Sequence, residues 1–335
     1  MKNPLIKDFS QAKLCHTILQ ISRKARVFIM NKFLGLTKRN LLIFFKDKQA
    51  IVFSLLTSII VFVLYLLFLR DSFVSAIQSA LNQAEGLSSL VEAADVEMYA
   101  NLTLLVGILG SAMITVPFNC LTTVIKDREN KIDYDILTTP VRRGQIIISY
   151  FVSAAVSAIL MTSIILTIGL LILSQQGDVH MGVEDILKAY GVVAIGSVSA
   201  TALFMIVVLF FKTSSASGAF FGILSAAAGF VIGAYVPISQ FSTGVQTFCN
   251  IFPASQITIV LRNVLLNGTL DAINTSIGGV DSGMFVETIR ELFSFKACMF
   301  DSYLDIKEMM VYITVGIVVC IAGMIIAYTK TYKKQ

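Results

Sequence analysis

Charge is what this chain has least of. Only 14% of its 335 residues are Asp, Glu, Lys or Arg, against about a quarter in an average soluble domain. With 56% hydrophobic residues and a mean hydropathy of +0.80, an ordinary soluble fold is excluded. Histidine is nearly absent: His16 and His180 are the two present. They are too few and too far apart for a paired-His zinc site, and a Ser-His pair is disfavoured as well. No GxxxxGK[ST] stretch occurs, so the chain carries no phosphate-cradling loop of its own. A cleavable leader is not expected, because the first apolar run begins at residue 50 and at about 20 residues exceeds a signal-peptide core.

What the chain does contain is long apolar runs. The windows 50–69, 101–125, 146–173, 189–211, 216–235 and 309–328 hold no Asp, Glu, Lys, Arg or His. Each approaches or exceeds the roughly 20 residues that cross a bilayer as a helix, so the sequence predicts an all-α integral membrane protein with six transmembrane helices. The lack of ionisable groups within the spans weighs against an ion-coupled carrier, which places such groups there for a task. Cytoplasmic loops are enriched in Lys and Arg. With both termini cytoplasmic, the inner segments 1–49, 126–145, 212–215 and 329–335 hold 20 of the 26 basic residues, and the outer segments hold 15 of the 21 acidic ones. The chain therefore reads as N-in and C-in, multi-pass, in the plasma membrane. Its pI near 8.9 follows from that bias, and no nucleic-acid surface is required to explain it.

Two regions flank or interrupt this frame. Residues 1–49 form a cytoplasmic N-terminal region, and 50–335 the membrane domain. Leu14, Ile18, Ile21, Ala25 and Phe28 lie on one helix face within 8–30. Residues 33–46 combine apolar clusters with Lys32, Lys38, Arg39 and Lys46, the pattern of an amphipathic helix lying in the headgroup plane. After Pro237 no charge appears until Arg262, yet Gly244 and Pro253 break the stretch. An outer re-entrant helical hairpin fits, since irregular backbone at membrane depth must be shielded by protein. The outer segment 237–308 then includes an external subdomain at 270–308, with one amphipathic helix marked by Phe285, Ile289, Leu292 and Phe293. Cys249 and Cys298 also fall in this segment. They could pair in an oxidising exterior, or remain two buried thiols.

One internal stretch breaks the economy of charge. Between Lys126 and Arg143, nine of eighteen residues are charged. Lys126, Asp127, Arg128, Glu129, Asp133, Arg142 and Arg143 mix both signs, and Ile132 and Ile136 stand at helical spacing. Residues 127–137 are predicted to form a short helix, with Thr139 as N-cap and Pro140 in the first turn of the next. Mixed charge around a small apolar face suits docking of a cytoplasmic partner. In the fifth window Gly218 and Gly222 are four apart, as are Gly229 and Gly233. This spacing permits close helix approach, either within the chain or against a second copy.

These pieces together resemble the membrane subunits of type-2 ABC exporters. The resemblance rests on FLGLTKRNLLIFFKDKQAIVFSLL, VIKDRENKIDYDILTTPVRRGQIIISY, FFKTSSASGAFFGILSAAAGFVIGAYVPIS and PASQITIVLRNVLLNG. It implies a permease without catalytic residues, working as a homo- or heterodimer with separate cytoplasmic ABC ATPase subunits. ATP and Mg would bind those subunits and no cofactor this chain. By the same resemblance 126–143 is the ATPase-coupling segment, and Phe118, Asn119, Gly229 and Phe230 are candidates for the substrate pathway. Expected cargo is a drug-like, peptide or other amphipathic molecule. A polysaccharide or lipid-linked cargo, an ATP-independent channel or carrier, and a non-transporting scaffold or sensor are the competing readings.

Overall fold

The computed structural model describes residues 30–81, 90–139, 141–279, 281 and 283–331. The helix expected over 8–30 lies almost wholly outside them. In chain order the helices are α1 (Met30–Lys46), α2 (Lys48–Leu64), α3 (Arg70–Leu81), α4 (Ala93–Glu129), α5 (Ile132–Thr138) and α6 (Arg143–Ser174). They continue with α7 (Val183–Val208), α8 (Ser214–Val231), α9 (Thr243–Ile251), α10 (Pro253–Ile277), α11 (Met284–Leu292) and α12 (Ile306–Thr331). A π-helical turn, Tyr65–Leu69, joins α2 to α3.

Helix α4 is the hub. At 37 residues it reaches about 55 Å, and its most apolar window is entirely buried. Helices α2, α6, α7, α8 and α10 pack around it, and α12 lies against α6, α7 and α10. Such crowding needs small side chains. A Cβ on Gly110 would fall 2.6 Å from both Ile232 Cδ1 and Thr258 Oγ1, so only glycine admits those neighbours. Among the described residues five helices, α4, α6, α7, α8 and α12, are each long and apolar enough to cross a membrane. The bent pairs α1–α2 and α9–α10, turning through 71° and 95°, raise the number to as many as seven.

Two features depart from the sequence expectation. The first apolar window is not one straight helix, since its last five residues form the π turn and run on into α3. The segment after Pro237 is a pair of helices, α9 and α10, that meet at 95°, the geometry of a broken span or a re-entrant loop. Phe252 is extended (φ −75°, ψ 123°) and Pro253 opens α10, because proline disfavours a helical residue before it and starts a helix without loss. The long arm α10 is mostly buried against α4 and α7. The fold is also not purely helical. Strands β1 (Ala297–Met299) and β2 (Ser302–Leu304) form an antiparallel hairpin, with Phe300 and Asp301 both left-handed at its turn, as a two-residue type I′ connection requires.

The amphipathic helix of 270–308 appears as α11, with Phe285, Ile289 and the following Phe293 buried. Phe293 meets Tyr99 and Phe73 edge-on at 5.5 and 5.6 Å, which fixes this subdomain to α4 and α3. Cys249 and Cys298 are free and buried, the two-thiol alternative.

Candidate coupling elbow and transport face

Lys126-Asp127-Arg128-Glu129 does not open a separate helix but forms the last turn of α4. Lys131 is left-handed (φ 59°), uncommon for a residue with a Cβ, and this break divides the helix predicted over 127–137. The following short helix α5 buries Asp133 and Ile136 and exposes Tyr134 and Asp135. Thr139 is not the N-cap of the next helix. Its N–H and Oγ1 both donate to the Ile136 carbonyl, at 3.1 and 2.5 Å, and close α5. Helix α6 begins at Arg143, and the orphan N–H of Arg142 donates to Gln145 Oε1 at 3.3 Å, half of a capping box. Pro140 lies outside the described residues.

Each of the four residues 126–129 ties α4 to a different part of the bundle. Lys126 Nζ donates to Asp47 Oδ2 at 2.5 Å, and Asp47 Oδ1 accepts the Ala50 N–H at 3.1 Å as the N-cap of α2. The Lys126 ammonium, and after it the main-chain donor, hold the Asp47 carboxyl below its ordinary pKa. Asp127, 4% exposed, accepts both guanidinium nitrogens of Arg39 from α1, at 2.5 and 2.9 Å, and the Tyr150 hydroxyl of α6 at 2.5 Å. A bidentate cation plus a phenol is the kind of full satisfaction a buried carboxylate needs. Arg128 Nη1 donates to the Leu209 and Phe211 carbonyls at 2.8 and 2.9 Å, capping the end of α7 with positive charge. Glu129 Oε2 accepts the Ser214 N–H at 3.0 Å and its hydroxyl, placing negative charge at the start of α8.

Of the residues expected to meet a partner, Asp127, Asp133 and Ile136 face inward, Lys126, Arg128 and Ile132 are half-buried, and Glu129, Arg142 and Arg143 are exposed. Lys131, Tyr134 and Asp135 complete the exposed rim. Sequence reasoning missed Arg39, Asp47 and Tyr150. By its pattern Arg39 borders the apolar cluster of a surface helix, whereas α1 buries Thr37, Asn40 and Phe44 and turns Arg39 toward a carboxylate 88 residues away.

A comparison with known families finds a match: the model described as ABC-2 family transporter protein covers residues 72–329. The chain belongs to the ABC-2 transporter family. Among curated proteins none matches it. As an ABC-2 permease it is the membrane subunit of a transporter and is not itself catalytic. Among the described residues no group of three or more His, Cys, Asp or Glu side chains is arranged to hold a metal ion.

The four pathway candidates of the permease lie in unlike places. Phe118 is fully buried in an aromatic cluster, with Phe204, Phe211, Phe220 and Phe221 at 5.5–6.3 Å. Asn119 is buried beside it, and its Nδ2 finds no acceptor among the described residues. Gly229 is covered by Tyr235, whose ring a Cβ would meet at 2.2 Å, while Phe230 is half exposed and packs edge-on against that same ring.

The glycine stripe divides likewise. Gly218 and Gly222 face open space, with nothing within 4 Å of an added Cβ. Gly233 (φ 71°) makes the left-handed turn after α8 and meets Ile238. Only the first pair leaves a smooth face free of contact within the chain.

Proposed function

We propose that this permease is one membrane half of an ATP-driven exporter in the plasma membrane, with both termini and the elbow at residues 126–143 on the cytoplasmic side. A separate ABC ATPase subunit, which binds ATP and Mg, docks on the exposed rim of Lys131, Tyr134, Asp135, Arg142 and Arg143. The observation that carries this reading is the convergence of five bundle helices on four consecutive residues. Through Asp47, Arg39, Tyr150, the Leu209 and Phe211 carbonyls, and Ser214, a displacement of the last turn of α4, to which α5 is joined at Lys131, reaches α2, α1, α6, α7 and α8 together. A solvated loop would need no such anchoring.

In this reading the smooth face of α8 at Gly218 and Gly222 meets a second permease chain, identical or closely related. The six crossings are α2 with its π turn, α4, α6, α7, α8 and α12, and the α9–α10 corner lies at the outer side. Cargo moves along α8 past Phe230, with Asn119 and the Phe118 cluster behind it. A path so poor in charge suits drug-like, peptide or other amphipathic molecules.

The reversal Arg142→Glu with Arg143→Glu tests the coupling role. It is expected to reduce ATPase recovered with the affinity-purified permease, and ATP-dependent export of a cationic dye, at least about tenfold. Membrane insertion should be unchanged. Normal ATPase recovery and normal export by this variant would refute docking at the elbow.

A further inference from the structure

A cavity of about 540 Å³ lies at the other end of α4 from the elbow, between the α2–α3 junction and the loop after α6. From Glu97 to Asp127 the distance along α4 is about 45 Å. The volume falls within the range of small-molecule sites. Its wall changes character from one side to the other. Phe62, Leu104 and Ile172 make an apolar half, whereas Arg70, Asp95, Glu97 and Asp178 make a charged half.

The π turn contributes to this arrangement. In an uninterrupted α-helix, residues eight apart lie about 80° apart around the axis. The wider π turn at Tyr65–Leu69 takes up that angle, and Phe62 and Arg70 line one cavity. Such turns occur often at functional sites. This one is fixed by the Tyr65 hydroxyl, which donates to the Ala100 carbonyl at 2.7 Å.

Two further observations define what would fit. First, the mouth is acidic. Arg70, paired with Glu97 at 2.8 Å, is the one Lys or Arg of the lining against the three carboxylates Asp95, Glu97 and Asp178, and His180 lies 3.2 and 3.8 Å from Asp95 and Asp178. The carboxylates do not form a metal-binding group. Second, the apolar half is continuous with surface that has no partner within the chain: Ile59, Val63 and Phe68 around the α2 junction, and Ile168 and Leu171 on α6, are all exposed. The cavity therefore opens where membrane-facing apolar surface passes into charged surface, which is the headgroup level of a bilayer.

We propose that this cavity binds an amphiphile with an ammonium head, its apolar chain along Phe62 and Ile172 and its head between Glu97 and Asp178. The site does not depend on the coupling role and is tested without ATPase.

The experiment uses the full chain in phosphatidylglycerol nanodiscs and saturable binding of radiolabelled dodecylammonium. Glu97→Gln with Asp178→Asn is expected to weaken binding about fivefold, and Arg70→Gln to tighten it about threefold. Tightening cannot come from misfolding, so the second variant keeps the test decisive. Added phosphatidylethanolamine distinguishes the sources: competition marks a membrane lipid as the natural occupant, and no competition a free amphiphile. Absence of saturable binding, or equal dissociation constants in all three proteins, would overturn the proposal.

Discussion

Two arginines at opposite ends of the bundle perform the same task in different surroundings. Arg128 donates to the Leu209 and Phe211 carbonyls beyond α7, and Arg262 to the Phe293 and Ser294 carbonyls beyond α11, at 2.5 and 2.9 Å. Each places a cation on the carbonyl end of a helix, where the backbone dipoles favour it. Arg128 is half-buried in a segment full of charge. Arg262 is 2% exposed, and its Nε has no acceptor among the described residues. Around it the junction is stitched from several elements: Ser239 Oγ donates to the Leu292 carbonyl and Asn263 Nδ2 to that of Phe295. Four successive carbonyls, 292–295, thus receive donors from outside their own helix. A cation in the elbow shares its work with neighbouring charges, whereas the one in the subdomain junction is embedded without a rim of water.

The comparison predicts unequal costs. Arg262→Met strips two buried carbonyls of their donor, and is expected to destabilise the protein by about 3–5 kcal/mol. The loss should appear as a lower unfolding temperature in detergent and faster proteolysis of the segment after α10. A cost similar to that of an exposed-site variant would break the contrast. Arg128→Met removes the same kind of cap where water can replace it, and about 1–2 kcal/mol is expected. The same melting experiment checks it, and equal losses for the two variants would show that burial is not what distinguishes them.

The smallest effect is acid sensitivity at the elbow. Asp47 has its pKa depressed in the folded protein, so its contribution is complete above the unfolded value of about 4. It is lost as pH falls through the folded value. Unfolding temperature measured between pH 6 and pH 3 should therefore drop slightly less in Asp47→Asn than in the parent. Because Asp47 is partly solvated, the difference should be modest.

Parts of this architecture can be read directly from residues. The apolar windows foretell the existence of α4, α6, α7, α8 and α12, with ends that differ by up to eight residues, because a helix satisfies its own backbone and needs only local sequence to form in an apolar medium. Phe285 and Ile289 mark α11 for the same reason. The elbow is visible as a burst of charge, and the family resemblance agrees with the match over 72–329. What could not be read is which charges turn inward. Asp127 and Asp135 look alike in sequence, yet one is buried between Arg39 and Tyr150 and the other is exposed. The π turn at Tyr65–Leu69 and the left-handed Lys131 carry no composition signal either.

By itself the sequence determined that this chain lives in a membrane, where its helices lie along the chain and where charge is concentrated. Those properties depend on transfer free energy and backbone hydrogen bonding, both summed over neighbouring residues. Only the tertiary structure decided that Arg39 meets Asp127, that Arg262 caps α11, and that Gly218 and Gly222 face outward while Gly229 lies under Tyr235. Those outcomes depend on how helices distant in sequence are rotated against one another. A helix periodicity presents several faces, and the packing of the neighbours selects which one is buried.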